Sequence, residues 1–278
     1  MKNFLRQVLS DNQKVYDCDF VMIRVDKSID VFSQQLPFAR WDPNFYDTRW
    51  EEIISILHKN KIRVKPLCKY FPNDNWIIST DHVRASKGEK EGPQYPIEYY
   101  SPAGFTPTGY DVYGIPRCSE NAYDRMKRGA VKKLDILLGG FGMGPTGKSV
   151  LLLHKPAHKS IVGNIFILRT GKQYDPFILQ IFFKCKYGQA QFNRYKTGVA
   201  FYSLSNEEIK NILVPEIEIT MRSAFRDQYL KMNSYHVKAM KAKSVNDKKA
   251  YIDNNKMADD LQTDLINKLE LLIEKNQT

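Results

Sequence analysis

The chain has 278 residues, 42 Lys+Arg against 31 Asp+Glu, a formal charge of +11 and 42% apolar residues. This is a globular, water-exposed composition, and no apolar run approaches the roughly 18 residues of a membrane span. The first 13 residues lack the apolar core of a secretory signal, so the expected location is the cytoplasm, with no membrane partner.

In chain order, residues 15–32 alternate short apolar runs with charges and predict one or two strands. Trp50, Ile53, Ile54 and Leu57 fall at i, i+3, i+4 and i+7 and predict an amphipathic helix. Residues 71–120 are rich in proline and glycine, with many tyrosines, and predict short strands joined by long loops. The runs at 134–138, 150–153 and 161–168 read as buried strands. Asp175-Pro176 is an N-cap followed by proline at the first helical position, so a helix should carry the apolar run 177–183. Ser205-Asn206-Glu207-Glu208 fits a capping box and predicts a short helix before Ile212-Leu213-Val214.

After Pro215 the pattern changes. Met221, Phe225, Gln228, Met232, Tyr235 and Ala239 are spaced by threes and fours, and Met257, Leu261, Leu265, Leu269 and Leu272 continue the theme. Two long helices are predicted, broken somewhere in 243–256. Their stripes can be buried only against each other, the body or another chain. The expected fold class is therefore α+β: a mixed, strand-rich domain over 1–214, with no role assigned to 1–39, followed by a helical segment over 215–278.

The charge is unevenly distributed. Residues 214–278 hold 11 Lys+Arg and 10 Asp+Glu, which leaves 31 against 21 for residues 1–213. The body thus carries +10 and the helical tail +1. Within the body the basic residues bunch at 59–69, at 125–133 and at 184–196, the last group interleaved with Tyr187, Phe192 and Tyr195. Lysines and arginines that neutralise phosphates release counterions, and aromatic or amide neighbours can contact sugars and bases. A nucleic-acid surface is one reading of these clusters; solvated basic loops are the other.

Several chemical motifs are incomplete. Residues 142–149 fit G-x-x-x-x-G-K-S, the phosphate-binding P-loop pattern, but Val150-Leu151-Leu152-Leu153 and Pro156 follow where a helix would have to begin. A strand connection bearing one exposed lysine is expected, with a P-loop nucleotide enzyme as the alternative. Asp42-Pro43-Asn44-Phe45 has the first residues of an adenine-methyltransferase motif without its second proline. His154 and His158 have zinc-ligand spacing, but Pro156 separates them. Cys18, Cys68, Cys118 and Cys185 are scattered and predict neither a disulfide framework nor a zinc knuckle. No nucleophile motif of the G-x-S-x-G kind is present.

The ordered set of short motifs resembles the target-recognition domain of type I restriction-modification specificity subunits and of related adenine methyltransferases. Arg40-Trp41-Asp42-Pro43-Asn44-Phe45-Tyr46 is similar to the family's entry motif. Gly114-Ile115-Pro116-Arg117 resembles its G-I-P strand. Lys133-Leu134-Asp135-Ile136-Leu137-Leu138, followed by Gly144 and Gly147-Lys148, resembles its G-D-I-L-L … G-x-x-G-K stretch, with Lys133-Leu134 in place of the usual glycine. Asn164 to Arg169, Asp175 to Leu179, Tyr187-Gly188-Gln189 and Gly198 to Pro215 follow in the family's order.

This resemblance implies a non-catalytic subunit, without a cofactor of its own, that reads double-stranded DNA. It would direct an adenine methyltransferase, which would hold S-adenosylmethionine, and a restriction or translocase subunit could join them. A single recognition domain with one helical segment implies a homodimer paired through the C-terminal helices. Lys132, Lys133, Lys148, Arg194 and Lys196 are then the expected phosphate contacts, and Arg117, Asn193, Tyr195 and Ser203 the expected base-edge contacts. Both sets rest on loop position and side-chain chemistry. A non-specific basic nucleic-acid-binding scaffold is the second alternative.

Overall fold

The computed structural model describes residues 45, 47–59, 62–79, 94–125, 129–142, 144–156, 160–163, 165–198 and 202–275, together with backbone pairing at 17–18 and 21–22. In the region expected to hold one or two strands, Asp17–Cys18 (β1) and Val21–Met22 (β2) pair antiparallel. Most of the entry motif at 40–46, and also His158 and Asn164, lie outside the described residues.

The predicted first helix is Thr48–Lys59 (α1), with Ile54 and Leu57 buried. Short strands follow at Val64–Pro66 (β3), Ile77–Ser79 (β4), Ile97–Tyr100 (β5) and Arg117–Cys118 (β6), then a one-and-a-half-turn helix, Glu120–Arg125 (α2). The central hairpin is Ile136–Gly139 (β7) and Ser149–Leu151 (β8). The run expected as one strand at 161–168 is two: Ser160–Val162 (β9) and Ile165–Leu168 (β10). β9 runs parallel to β5, whereas β10 runs antiparallel to β7 and β4, so one short segment threads two sheets. At the break, Gly163 packs under the Tyr99 ring end, where a Cβ would lie 2.1 Å from the hydroxyl.

The larger sheet has the order β4-β10-β7-β8, and the smaller has the order β6-β5-β9. Register sorts the side chains of the larger sheet by alternation. Ile136, Leu138, Leu151, Phe166 and Leu168 face the main core. Leu137, Val150, Ile165 and Ile167 face a second core that includes Tyr100, Tyr110, Val131 and Val162. A sheet covered on both faces reads as continuous apolar runs, which is why the sequence showed these strands without alternation.

Pro176–Lys184 (α3) lies against the main-core face. Its N-cap Asp175 accepts from the amides of Phe177 and Ile178, and residues 176–183 are all buried. Lys186–Tyr195 (α4) follows after a single residue. The capping box forms as expected at the head of Asn206–Lys210 (α5), and Leu213–Pro215 (β11) pairs with β3.

The C-terminal helices are Ile219–Ser244 (α6) and Lys248–Lys275 (α7), an antiparallel pair that turns at 245–247 and packs on α3. The buried stripe keeps Phe225, Met232, Ala239, Leu265 and Leu269 of the expected one and is rotated by one position at several others. Phe225, Tyr229, Met232, His236 and Ala239 are inside on α6, while Met221 is exposed. On α7, Ala258, Leu265, Leu269 and Ile273 are inside, and Met257 is exposed. The rotation follows from the two-sided job of α6, which must meet both α7 and the body. Phe225, Tyr229, Met232, Leu265, Leu269 and Ile273 belong to the same core cluster as β7 and α3, so the hairpin completes the body's interior. Among the described residues no helix is long and apolar enough to cross a membrane.

Candidate nucleic-acid interface

The glycine-lysine turn joins β7 to β8. Gly142 and Gly147 have φ of +102° and +82°, conformations that suit glycine, and the Lys148 amide donates to the Pro145 carbonyl at 2.9 Å. β8 begins at Ser149, directly after the lysine. A strand therefore begins where a P-loop enzyme would start the helix that cradles the phosphates.

The turn is fastened to Tyr202 and Leu204 instead. The Gly142 amide donates to the Tyr202 carbonyl, the Leu204 amide donates to the Gly140 carbonyl, and both bonds are 2.9 Å. The Thr146 hydroxyl lies 2.6 Å from the Gly142 carbonyl and 3.2 Å from that of Tyr202. The Gln189 side chain donates to the Gly147 carbonyl at 3.2 Å. The turn that carries exposed Lys148 is thus bonded to α4 and to Tyr202.

Asn193, Arg194 and Tyr195 are the last residues of α4, a helix where a loop was expected. The sequence signal was weak because Gly188 interrupts the segment and a single residue separates it from α3. The Arg194 guanidinium stacks on buried Phe45 at 4.6 Å, and its Nε is buried without a hydrogen-bond partner. Tyr195 packs against the same ring at 6.0 Å between centroids. Lys196 lies over the Tyr202 ring at 4.6 Å and donates to the Asn193 carboxamide at 2.7 Å; partial burial lowers its pKa. The Ser203 hydroxyl pairs with that of Thr197 at 2.9 Å. Ser203 and Thr197 also line an open cleft of about 370 Å³ floored by Phe141 and Phe166.

Of the remaining candidates, two lie at the other end of the hairpin and Arg117 lies on the smaller sheet. Lys132 and Lys133 are exposed in the turn that enters β7. Buried Asp135 accepts from the Lys132 amide at 2.7 Å and from two nitrogens of Arg169 at 2.8 and 2.7 Å; Arg169 also donates to the Ala130 carbonyl. Arg117 lies on β6 opposite Glu98 of β5 and donates to the Pro96 carbonyl at 3.4 Å. Glu98 accepts from the Tyr100 hydroxyl at 2.9 Å, and that hydroxyl is 2.7 Å from His154 Nε2. Burial pushes the His154 pKa down, opposed by Glu98. His154 thus belongs to a hydrogen-bond chain, and among the described residues no group of three His, Cys, Asp or Glu is placed to hold a metal.

The nine candidates therefore form two groups. Lys148, Asn193, Arg194, Tyr195, Lys196 and Ser203 gather around the glycine-lysine turn, whereas the other three lie apart from it, Lys132 and Lys133 at the opposite end of the hairpin and Arg117 on β6. Sequence reasoning missed the fastenings: Thr146 and Tyr202 at one end, Asp135 and Arg169 at the other.

No family model matches the chain, and no curated protein matches it. It is structurally similar to solved type I restriction-modification specificity subunits. One is the S subunit from M. genitalium, at 10% identity and a TM-score of 0.41, with 66% of this chain and 42% of that chain covered. Another is the HsdS subunit from Thermoanaerobacter tengcongensis, at 11% identity and a TM-score of 0.40, with 83% of this chain and 52% of that chain covered. The chain thus spans about half the length of these two structures.

Proposed function

We propose that the chain is the sequence-specific DNA-recognition subunit of a restriction-modification system and directs an adenine methyltransferase to its site. The observation that carries this reading is the β7-β8 hairpin, which presents exposed lysines at both ends, with the glycine-lysine turn bonded to Tyr202 and Leu204. Lysines held on rigid elements suit phosphates, and Asn193, Ser203 and Arg117 supply hydrogen-bonding groups of the kind that read base edges. The chemistry belongs to the partner, which would hold S-adenosylmethionine and into which a restriction or translocase subunit could assemble. Ile219, Leu230 and Val237 on α6, with Met257 and Leu271 on α7, remain exposed and offer apolar surface for a second copy or for the methyltransferase.

Mapping methylated adenines in the host genome with and without this protein tests the function and reads the site together. Loss of methylation at one recurring sequence is the expected result. An unchanged pattern overturns the proposal. Equal binding of the full chain to unrelated duplexes would favour the non-specific scaffold.

A further inference from the structure

Residues 132–135 form a tight turn in which the Asp135 amide donates to the Lys132 carbonyl at 3.1 Å. The third residue, Leu134, has φ of +71°. That is the pattern of a type II turn, whose third position normally goes to glycine because a side chain there is strained. Leu134 also leaves 39% of its surface in water. Its side chain thus incurs backbone strain and apolar exposure together, and no core cluster among the described residues includes it.

The turn cannot relax easily. Asp135 is tied to Arg169 and to the Lys132 amide, and the Leu134 amide donates to the Leu152 carbonyl at 2.7 Å. An apolar side chain is thus held outward on a rigid turn beside two exposed lysines. Strain maintained by the surrounding structure collects where a residue acts on a ligand. On a duplex this combination has a physical use: cations hold the phosphates while an apolar wedge enters between adjacent bases, unstacks them and kinks the helix.

We infer that Leu134 is a DNA wedge, inserted at a base step while Lys132 and Lys133 hold the flanking phosphates. The inference rests on the DNA-recognition reading above. It is tested with the full chain and a duplex recovered by selection from a random-sequence library, labelled at both ends for energy transfer and carrying 2-aminopurine at successive positions. Wild-type protein is expected to raise fluorescence at one step and to shorten the end-to-end distance. Leu134→Ala removes the wedge and leaves the turn strained, whereas Leu134→Gly removes both wedge and strain. Both variants should lose the fluorescence rise and the bend, with affinity lower by about tenfold, while the glycine variant melts at or above the wild-type temperature.

Recovery of no duplex overturns the DNA reading and the wedge together. Sequence-specific binding without unstacking, or variants that still bend the duplex, overturns the wedge alone. A lower melting temperature for Leu134→Gly removes the strain on which the inference stands.

Discussion

Asp135 lies almost wholly inside the protein, and Arg169 is the counter-charge that keeps it there. Breaking a buried pair from one side leaves an unpaired charge, so Arg169→Ala is expected to cost about 2–4 kcal/mol in urea denaturation, discounted for the partial exposure of the arginine. A loss under about 1 kcal/mol would show that water replaces the guanidinium. Lys148 offers a different contrast, because its side chain is exposed and its replacement should leave stability within about 0.5 kcal/mol of wild type. Its loss should weaken binding to every duplex alike and reduce the slope of log affinity against log salt by about one. If one base position relaxed instead, Lys148 would be a reader of bases. Replacing Arg117 by alanine is expected to do the converse, relaxing one position of the site.

At the scale of elements, α6 and the end of α3 are fastened to the 107–111 loop by four contacts. The Lys184 ammonium at the end of α3 donates to the Pro107 carbonyl at 2.6 Å, and Lys243 pairs with Asp111 at 2.7 Å. Between them, His236 bonds Thr108 Oγ1 through Nδ1 at 3.0 Å and the Tyr110 carbonyl through Nε2 at 2.9 Å. Since the carbonyl can only accept, Nε2 carries the proton and Nδ1 accepts from the Thr108 hydroxyl. Burial pushes the His236 pKa down and nearby Lys184 adds to this, while the bond to Tyr110 and the charges of Asp111 and Asp259 oppose it. The unfolded chain therefore takes up a proton first on acidification. This contribution to stability is present above the ordinary histidine value of about 6.5 and is lost as pH falls through the lower folded value. His236→Gln should flatten the dependence of stability on pH below about 6.5, and an unchanged dependence would assign it to the carboxylates. None of this fastening was legible in the sequence, because Thr108 and His236 are 128 positions apart. The local elements were legible: the Asp175 cap, the Ser205 capping box and the long helices each announce themselves within four residues or by spacing. Of the nine candidate contacts, the sequence placed the glycine-lysine turn correctly as a strand connection but took the end of α4 for a loop. It could not show that the candidates divide between separate places, since strand pairing decides that.

For the whole molecule, the consequence of the shared core is that the helical hairpin cannot be removed without uncovering it. Phe225, Tyr229, Met232, Leu265, Leu269 and Ile273 are each 7% exposed or less. At about 1.5–3 kcal/mol per buried side chain, their removal approaches or exceeds the 5–15 kcal/mol by which a folded chain is stable. A chain ending at Pro215 is therefore expected to aggregate or to melt far below the full chain in calorimetry. A soluble, cooperatively melting fragment would show that the hairpin's packing contributes little. The two groups of lysines are held at opposite ends of β7 and β8, which makes the hairpin a ruler. Each residue added to a strand would move its ends apart by about 3.3 Å, close to the rise of about 3.4 Å per base step along the axis of a duplex. One added residue per strand, however, would exchange Leu137 with Leu138 between the two cores, because side chains alternate. Pairs of residues preserve both cores, so the lysine groups can change their separation only in increments of about two base steps.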